Sequence, residues 1–516
     1  MIASISRAFS LFAFFLMAFP ASLKAAEAAP ASPRQPVPQA SGPGAIEVEL
    51  TYAPEAFAGP FSGRVHLLWM NPGTTGLPRM PNWQSPSPHH YVEVKNWKAG
   101  EPLKIGPTAK GYPSELGSLP KGGKRALFAV MDRDLGGISF AASEGNVWGR
   151  GPAEEWDASK GFVAKVRLDK VYKQPEFSES ERMKLVRIRS TLLSDFHKKD
   201  QYLQAAVVVP ETFDPKRAEA YPVLFEIPGF GGDHNGARKF LGKNGTNFGG
   251  VDFVCVMLDP NCRLGHHSFA NSANNGPVGD ALVEELIPAI ETRFRCGGQK
   301  HRRLLTGHSS GGWSSMWLMT SYPAIFGGTW STAPDPTDFH DFQLVDLYAP
   351  GNNIFRDAKG AARPLGRGGF ANVPYELFWK MELPMKRGGQ LQTFQAVFGP
   401  KGPDGFPIPL WNDDGAIDPV VFQSWLAYDI VAKIKREWPK KGADLKGRIN
   451  MYCGTLDTFL LDGAAVLMKK ALAELDPTAT VEMIEGRDHG SVVDAALRAR
   501  ICQEMADTVQ GNRPKP

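Results

Sequence analysis

Gly307-His308-Ser309-Ser310-Gly311 decides how the rest of this chain is read. The five residues match G-x-S-x-G, a turn that lifts a serine hydroxyl out of a strand-to-helix junction so that a base can reach it. Arg303 to Thr306, just before, is a short apolar strand candidate. Trp313, Met316 and Trp317, just after, recur at the i, i+3, i+4 spacing of a helix. The flanking glycines suit a place where neighbouring backbone passes too close for a Cβ.

Outward from the elbow, apolar strand candidates alternate with helices. Val223 to Ile227 and Asp252 to Leu258 precede it, and Arg448 to Cys453 and Thr480 to Ile484 follow it. Between them lie helical stretches, Asp280 to Phe294 (Val283, Leu286, Ile290 and Phe294 on one face) and Gly463 to Leu475. This alternation predicts an α/β fold with a mostly parallel sheet covered on both faces. Lys184 to Leu193 and Leu203 to Val209 read as two antiparallel strands in front of it, so this domain is expected over residues 176–510. Residues 335–411, rich in Gly, Pro and charge, interrupt the pattern and read as a long inserted loop, a candidate lid or substrate wall.

Upstream, residues 45–175 show short alternating runs between Gly/Pro clusters: Ile46 to Tyr52, Gly63 to Met70, Tyr91 to Val94, Arg125 to Met131 and Gly161 to Val171. They predict a small all-β, sandwich-like domain, with Trp69, Trp83, Trp97, Trp148 and Trp156 in its core. Residues 26–44 are an Ala/Pro-rich tether. Residues 1–25 read as a signal peptide: Arg7, then an apolar run from Ala8 to Leu23 broken by Pro20, then small residues at Ala25, Ala26 and Ala28. The expectation is a secreted or periplasmic protein with no membrane segment after cleavage. The formal charge of +4 falls to +2 when Arg7 and Lys24 leave with the signal, which gives no electrostatic case for nucleic acid. Export makes disulfides possible, but five cysteines leave at least one unpaired, and Cys255 and Cys453 sit in apolar strands as buried thiols would.

A serine nucleophile needs a base, and the base needs an orienting acid. Asp457 follows the strand Arg448 to Cys453, and His489 follows the strand Thr480 to Ile484. The chain order Ser309, Asp457, His489 is the order an elbow serine requires. Asp462 and Asp488 are the alternative acids. An oxyanion hole needs two backbone N–H donors. One is expected from Ser310, the other from the loop Pro228-Gly229-Phe230-Gly231-Gly232, at Phe230 or alternatively Gly231. Gly231, His308, His267 and Asn275 are candidates for a substrate pocket; the pair His266-His267 otherwise reads as solvated surface. Asp335, Asp338, His340 and Asp341 look like a metal cluster but lack ligand spacing, so no metal is expected.

On these motifs (Tyr221 to Gly232, Gly307 to Gly312, Gly454 to Leu460 and Gly486 to Gly490) the chain from about residue 180 to 510 resembles the Putative esterase branch of the α/β-hydrolases. That branch includes enterochelin esterases, feruloyl esterases, S-formylglutathione hydrolase (esterase D) and the mycolyltransferases. The resemblance implies an α/β-hydrolase fold, Ser309 as nucleophile, Asp457 as acid, His489 as base, Phe230 and Ser310 as oxyanion donors, and no cofactor. The expected activity is hydrolysis of a small-molecule or carbohydrate-linked carboxylic ester through an acyl-enzyme. An acyltransferase with the same triad, and a glycan- or siderophore-binding protein with vestigial catalysis, are the rival readings.

Overall fold

The computed structural model describes residues 46–119, 123–156, 162–243 and 245–512. The expected signal peptide and tether lie outside them, as does the side chain of Trp156. No helix among the described residues is long and apolar enough to cross a membrane.

The elbow strand, Arg303–His308, lies near the middle of an eight-stranded sheet. The order is Met183–Ser190, Gln201–Val208, Val254–Leu258, Val223–Ile227, Arg303–His308, Gly328–Thr332, Ile449–Gly454 and Thr480–Ile484. The first two strands pair antiparallel to their neighbours and the rest run parallel. Parallel strands are joined by crossovers that bury both faces, which is why the inner strands Val254–Leu258 and Ile449–Gly454 are buried at every residue. The elbow helix Ser310–Ser321 is buried from Ser310 to Thr320. Trp313, Met316 and Trp317 therefore mark one stripe of a helix covered on every side.

Several boundaries differ from the sequence pattern for local reasons. The strand expected to run to Leu193 stops at Ser190, whose hydroxyl accepts the Leu193 N–H and opens the helix Thr191–His197. The helix expected over Asp280 to Phe294 carries a wide turn at Leu282–Leu286 between two α segments, next to Pro288, which has no N–H to donate. Gly328–Thr332, five buried residues with no aliphatic side chain, forms a strand that the pattern did not reveal. The insertion is not one long loop. It holds the helices Tyr375–Glu382 and Gln390–Phe398, and Phe342, Trp379, Phe394 and Trp411 join the core beneath the sheet.

Every strand from Ile46 to Val171 belongs to one of two other sheets. Six antiparallel strands run in the order Gly111–Tyr112, His89–Trp97, Phe61–Met70, Gly123–Asp132, Val147–Trp156, Lys170–Val171; the other sheet has Ile46–Tyr52 between Leu103–Ile105 and Phe162–Leu168. Ile46–Tyr52 alternates buried and half-buried residues, so Ile46, Val48, Leu50 and Tyr52 face the same core as Val65, Leu67 and Trp69 of the larger sheet. One pairing departs from antiparallel: Ile46–Tyr52 runs parallel to Phe162–Leu168. Trp69 and Trp97 are core residues, and Trp148 stacks on Phe128. Trp83 is elsewhere, as described below.

The β segment is tied to the insertion by a buried arginine. Arg387, 2 % exposed, donates to Asp132 Oδ1 at 2.7 Å, reaches Asp134 Oδ1 at 3.3 Å and donates to the carbonyls of Gly137 and Arg263. Arg263 in turn clasps Asp134 with two nitrogens. Removing one partner of a buried pair leaves the other charge unpaired, which costs about 3–5 kcal/mol. Arg387→Ala should therefore lower the thermal unfolding midpoint by several degrees; an unchanged midpoint would show that the cluster contributes nothing to the fold.

Candidate active site

The elbow is built by close backbone packing. A Cβ on Gly307 would lie 2.2 Å from the Gly311 carbonyl oxygen, and one on Gly311 would lie 2.0 Å from that of Ile227. Only glycine fits at either position. Between them Ser309 takes φ 60°, ψ −127°, a strained conformation that brings its side chain out at the junction. Its hydroxyl does not cap the helix that follows, and Ser309 is partly exposed.

Asp457 and His489 come from the loops after the next strands, Ile449–Gly454 and Thr480–Ile484, so both lie at the C-terminal edge of the sheet with the elbow. His489 Nδ1 is 2.8 Å from Asp457 Oδ2. Asp457 is fully buried, and its other oxygen accepts the N–H of Phe459 at 2.8 Å. The alternative acids are engaged elsewhere. Asp462 is held by both terminal nitrogens of Arg367, and Asp488 takes the Ser491 hydroxyl at 2.6 Å. With Nδ1–H committed to Asp457, Nε2 is left as the basic nitrogen. Among the described residues no hydrogen bond joins Ser309 Oγ to His489, a contact that commonly tightens only with substrate present.

His308 packs its ring 4.6 Å from that of His489 and shares a hydrogen bond between Nδ1 and Thr332 Oγ1. Burial, with the His489 charge second, pushes His308 down to about 3. A neutral ring can thus support His489 without repelling an imidazolium. Asp335, 9 % exposed, follows the strand Gly328–Thr332 beside the elbow strand, and burial raises its carboxyl to about 6.

The loop Pro228 to Gly232 passes beside the serine: a Cβ on Gly229 would lie 3.2 Å from Ser309 Cβ. Among the described residues the N–H groups of Phe230, Gly231 and Ser310 have no acceptor. His266 fixes the base of this loop, with Nε2 3.0 Å from the Pro228 carbonyl. That corrects the reading of His266-His267 as solvated, since both are buried, at 1 % and 4 % exposure. The pocket assignment of His267 and Asn275 is not matched by their contacts. His267 packs on Phe269, and Asn275 meets Cys262 and His197 inside the fold. Gly231, by contrast, is exposed at φ 81°, and a Cβ there would meet the Met80 methyl at 2.8 Å.

Met80 and Trp83 belong to the connection between Phe61–Met70 and His89–Trp97, so the β segment reaches the site. The Trp83 ring lies 5.9 Å from Phe230, 4.9 Å from Phe378 and 6.0 Å from Phe459, and Phe459 stands edge-on to His489 at 5.0 Å. An aromatic wall is thus assembled from four distant stretches. Arg367, from the insertion, also donates to the Asp457 carbonyl oxygen at 2.6 Å and so braces the acid loop. Nothing local in the sequence marks Trp83 or Arg367 for these places.

Asp338, His340 and Asp429 bring donor atoms within 4.8 Å of one another, while Asp341 caps a turn at Leu344. The carboxylates of the trio are used locally: Asp338 accepts from His340, and Asp429 accepts the N–H groups of Phe339 and Ala432 and the Tyr348 hydroxyl. All five cysteines are free thiols.

A mostly parallel sheet with a glycine-flanked serine elbow at its centre and an acid–histidine pair on the following loops is the architecture of an α/β-hydrolase. Residues 200–489 match the family described as Putative esterase, and the chain belongs to that family. Among solved structures it is similar to the substrate-bound fluorophosphonate-binding serine hydrolase F of Staphylococcus aureus (12 % identity, 63 % of this chain and 98 % of that one, TM-score 0.39). It is also similar to an S-formylglutathione hydrolase from Agrobacterium tumefaciens (15 %, 64 % and 94 %, TM-score 0.35). A third is a ferulic acid esterase from Anaeromyces mucronatus (12 %, 66 % and 93 %, TM-score 0.32). No curated protein matches the chain.

Proposed function

We propose that the chain is an exported serine carboxylic-ester hydrolase that works through an acyl-enzyme on a small-molecule or carbohydrate-linked ester. The observation that carries the reading is the 2.8 Å contact between His489 and the buried Asp457, on the sheet edge where the Ser309 elbow opens. Ser309 Oγ attacks the ester carbonyl while His489 Nε2 takes its proton. Asp457 holds the imidazole tautomer and offsets the charge that develops on it. The tetrahedral oxyanion accepts from Ser310 N–H and Phe230 N–H, and its collapse expels the alcohol with the proton from His489. Water then repeats the sequence and frees the acid. Export rests on residues 1–25 alone.

A fluorophosphonate probe tests the assignment directly, because it phosphonylates only a serine whose base is in place. Mass mapping of the labelled, folded protein should find one adduct, on the peptide that carries Ser309. Labelling at another serine, or none, would overturn the assignment and favour a binding protein with vestigial catalysis.

A further inference from the structure

The esterase reading leaves open what aims the Ser310 N–H. That donor sits at the first residue of the elbow helix, directly after a residue held at φ 60°, and the Ser309 side chain caps nothing. A donor worth about 10²–10³ in rate acts only if it is already oriented when charge develops. The Ser309–Ser310 peptide must therefore be fixed by other groups.

Asp335 bonds to both residues that share that peptide. Its backbone N–H donates to the Ser309 carbonyl oxygen at 3.3 Å, and its carboxylate oxygen Oδ2 accepts the Ser310 hydroxyl at 2.6 Å. The Ser309 carbonyl and the Ser310 N–H are opposite ends of one planar unit, so a contact that holds the carbonyl also sets the direction of the N–H. Ser309 N–H, on the preceding peptide, donates to Thr332 at 3.0 Å, and Trp313 N–H adds a second bond to the Ser309 carbonyl at 3.0 Å. From the insertion, Gln390 Nε2 donates to Ser310 Oγ at 3.4 Å, leaving that hydroxyl to donate to Asp335. Gln390 opens a helix whose next N–H groups, of Leu391 and Gln392, are held by the buried Glu382.

We propose that Asp335 is a positioning residue that fixes the oxyanion donor by clamping the Ser309–Ser310 peptide from its carbonyl side and through the Ser310 hydroxyl. The proposal rests on the esterase reading and adds to it a residue outside the triad. In this role Asp335 acts through Ser310 and not on the substrate directly. The strand Gly328–Thr332 delivers it from beside the elbow strand, so the clamp is built into the sheet.

The test compares Asp335→Ala, Asp335→Asn, Ser310→Ala and Ser310→Ala/Asp335→Ala in the full chain, with p-nitrophenyl acetate as substrate and Ser309→Ala as control. Asp335→Ala and Ser310→Ala should each lower kcat about 10- to 100-fold, less than outright loss of the donor. KM should stay within about twofold, the pattern of an interaction made only in the transition state. Asp335→Asn keeps an acceptor oxygen for the Ser310 hydroxyl and should recover kcat to within about threefold of the parent. The double variant should lose no more than the worse single variant, because both cut one hydrogen bond. Unchanged kcat in folded Asp335→Ala, a loss confined to KM, or an Asn variant as slow as the Ala variant would overturn the clamp. If Asp335→Ala does not fold, Ser310→Ala decides, and an unchanged kcat there overturns it. A parent chain that hydrolyses no ester, or a Ser309→Ala control that still does, defeats the esterase reading itself. An inactive control beside a fully active Asp335→Ala defeats only the clamp.

Discussion

Ser309→Ala should reduce turnover of a small activated ester by roughly 10⁴- to 10⁶-fold, the range that loss of a serine nucleophile costs where acyl transfer depends on it. The residue contributes its oxygen and little else: its side chain caps no helix, and the glycines that permit the elbow lie on either side of it. The variant should keep the parent's unfolding midpoint, which separates loss of chemistry from loss of fold. Residual activity should be insensitive to further change at His489, since a base with no hydroxyl to deprotonate has no role. Turnover near the parent rate would remove Ser309 from the mechanism, whatever its geometry.

Asp457→Asn is expected to lower kcat by about 10⁴-fold with KM nearly unchanged. The amide can still accept the Phe459 N–H, so the loop keeps its shape. The amide cannot, however, accept from His489 Nδ1–H and stabilise the imidazolium with a full negative charge. The ring then favours the tautomer with the proton on the wrong nitrogen. Asp462→Asn and Asp488→Asn are the controls. Asp462 serves Arg367 and Asp488 serves Ser491, so each should leave kcat within about tenfold of the parent. A large loss at Asp462 with little at Asp457 would reassign the acid.

Where a residue's place depended on local pattern, the sequence carried it. Val223–Ile227 and Thr480–Ile484 have the bounds their β-branched and aliphatic residues indicate, although each carries a half-buried glutamate and the edge strand Thr480–Ile484 is only half-buried throughout. The elbow showed itself through glycines that steric crowding makes obligatory. That Asp457 and His489 lie at one edge of the sheet follows from their place on the loops after parallel strands. Where a residue's place depended on a partner far along the chain, local pattern held no signal. His266 and His267 look solvated until the insertion helix Gln390–Phe398 packs beside them, where Thr393 Oγ1 accepts the His266 N–H, and Trp83 looks like sandwich core until its connection lies against Phe230. Along the chain Asp335 is only one of a run with Asp338, His340 and Asp341.

Local sequence carried the class of sheet, the elbow turn and the chain order of Ser309, Asp457 and His489, because each follows from the pattern of a strand, a turn or the loop after a strand. What surrounds the serine depends on packing between distant stretches. The aromatic wall, the Arg367 brace and the Asp335 clamp each join stretches 20 or more residues apart, and such contacts are set by packing in three dimensions, which no local periodicity encodes.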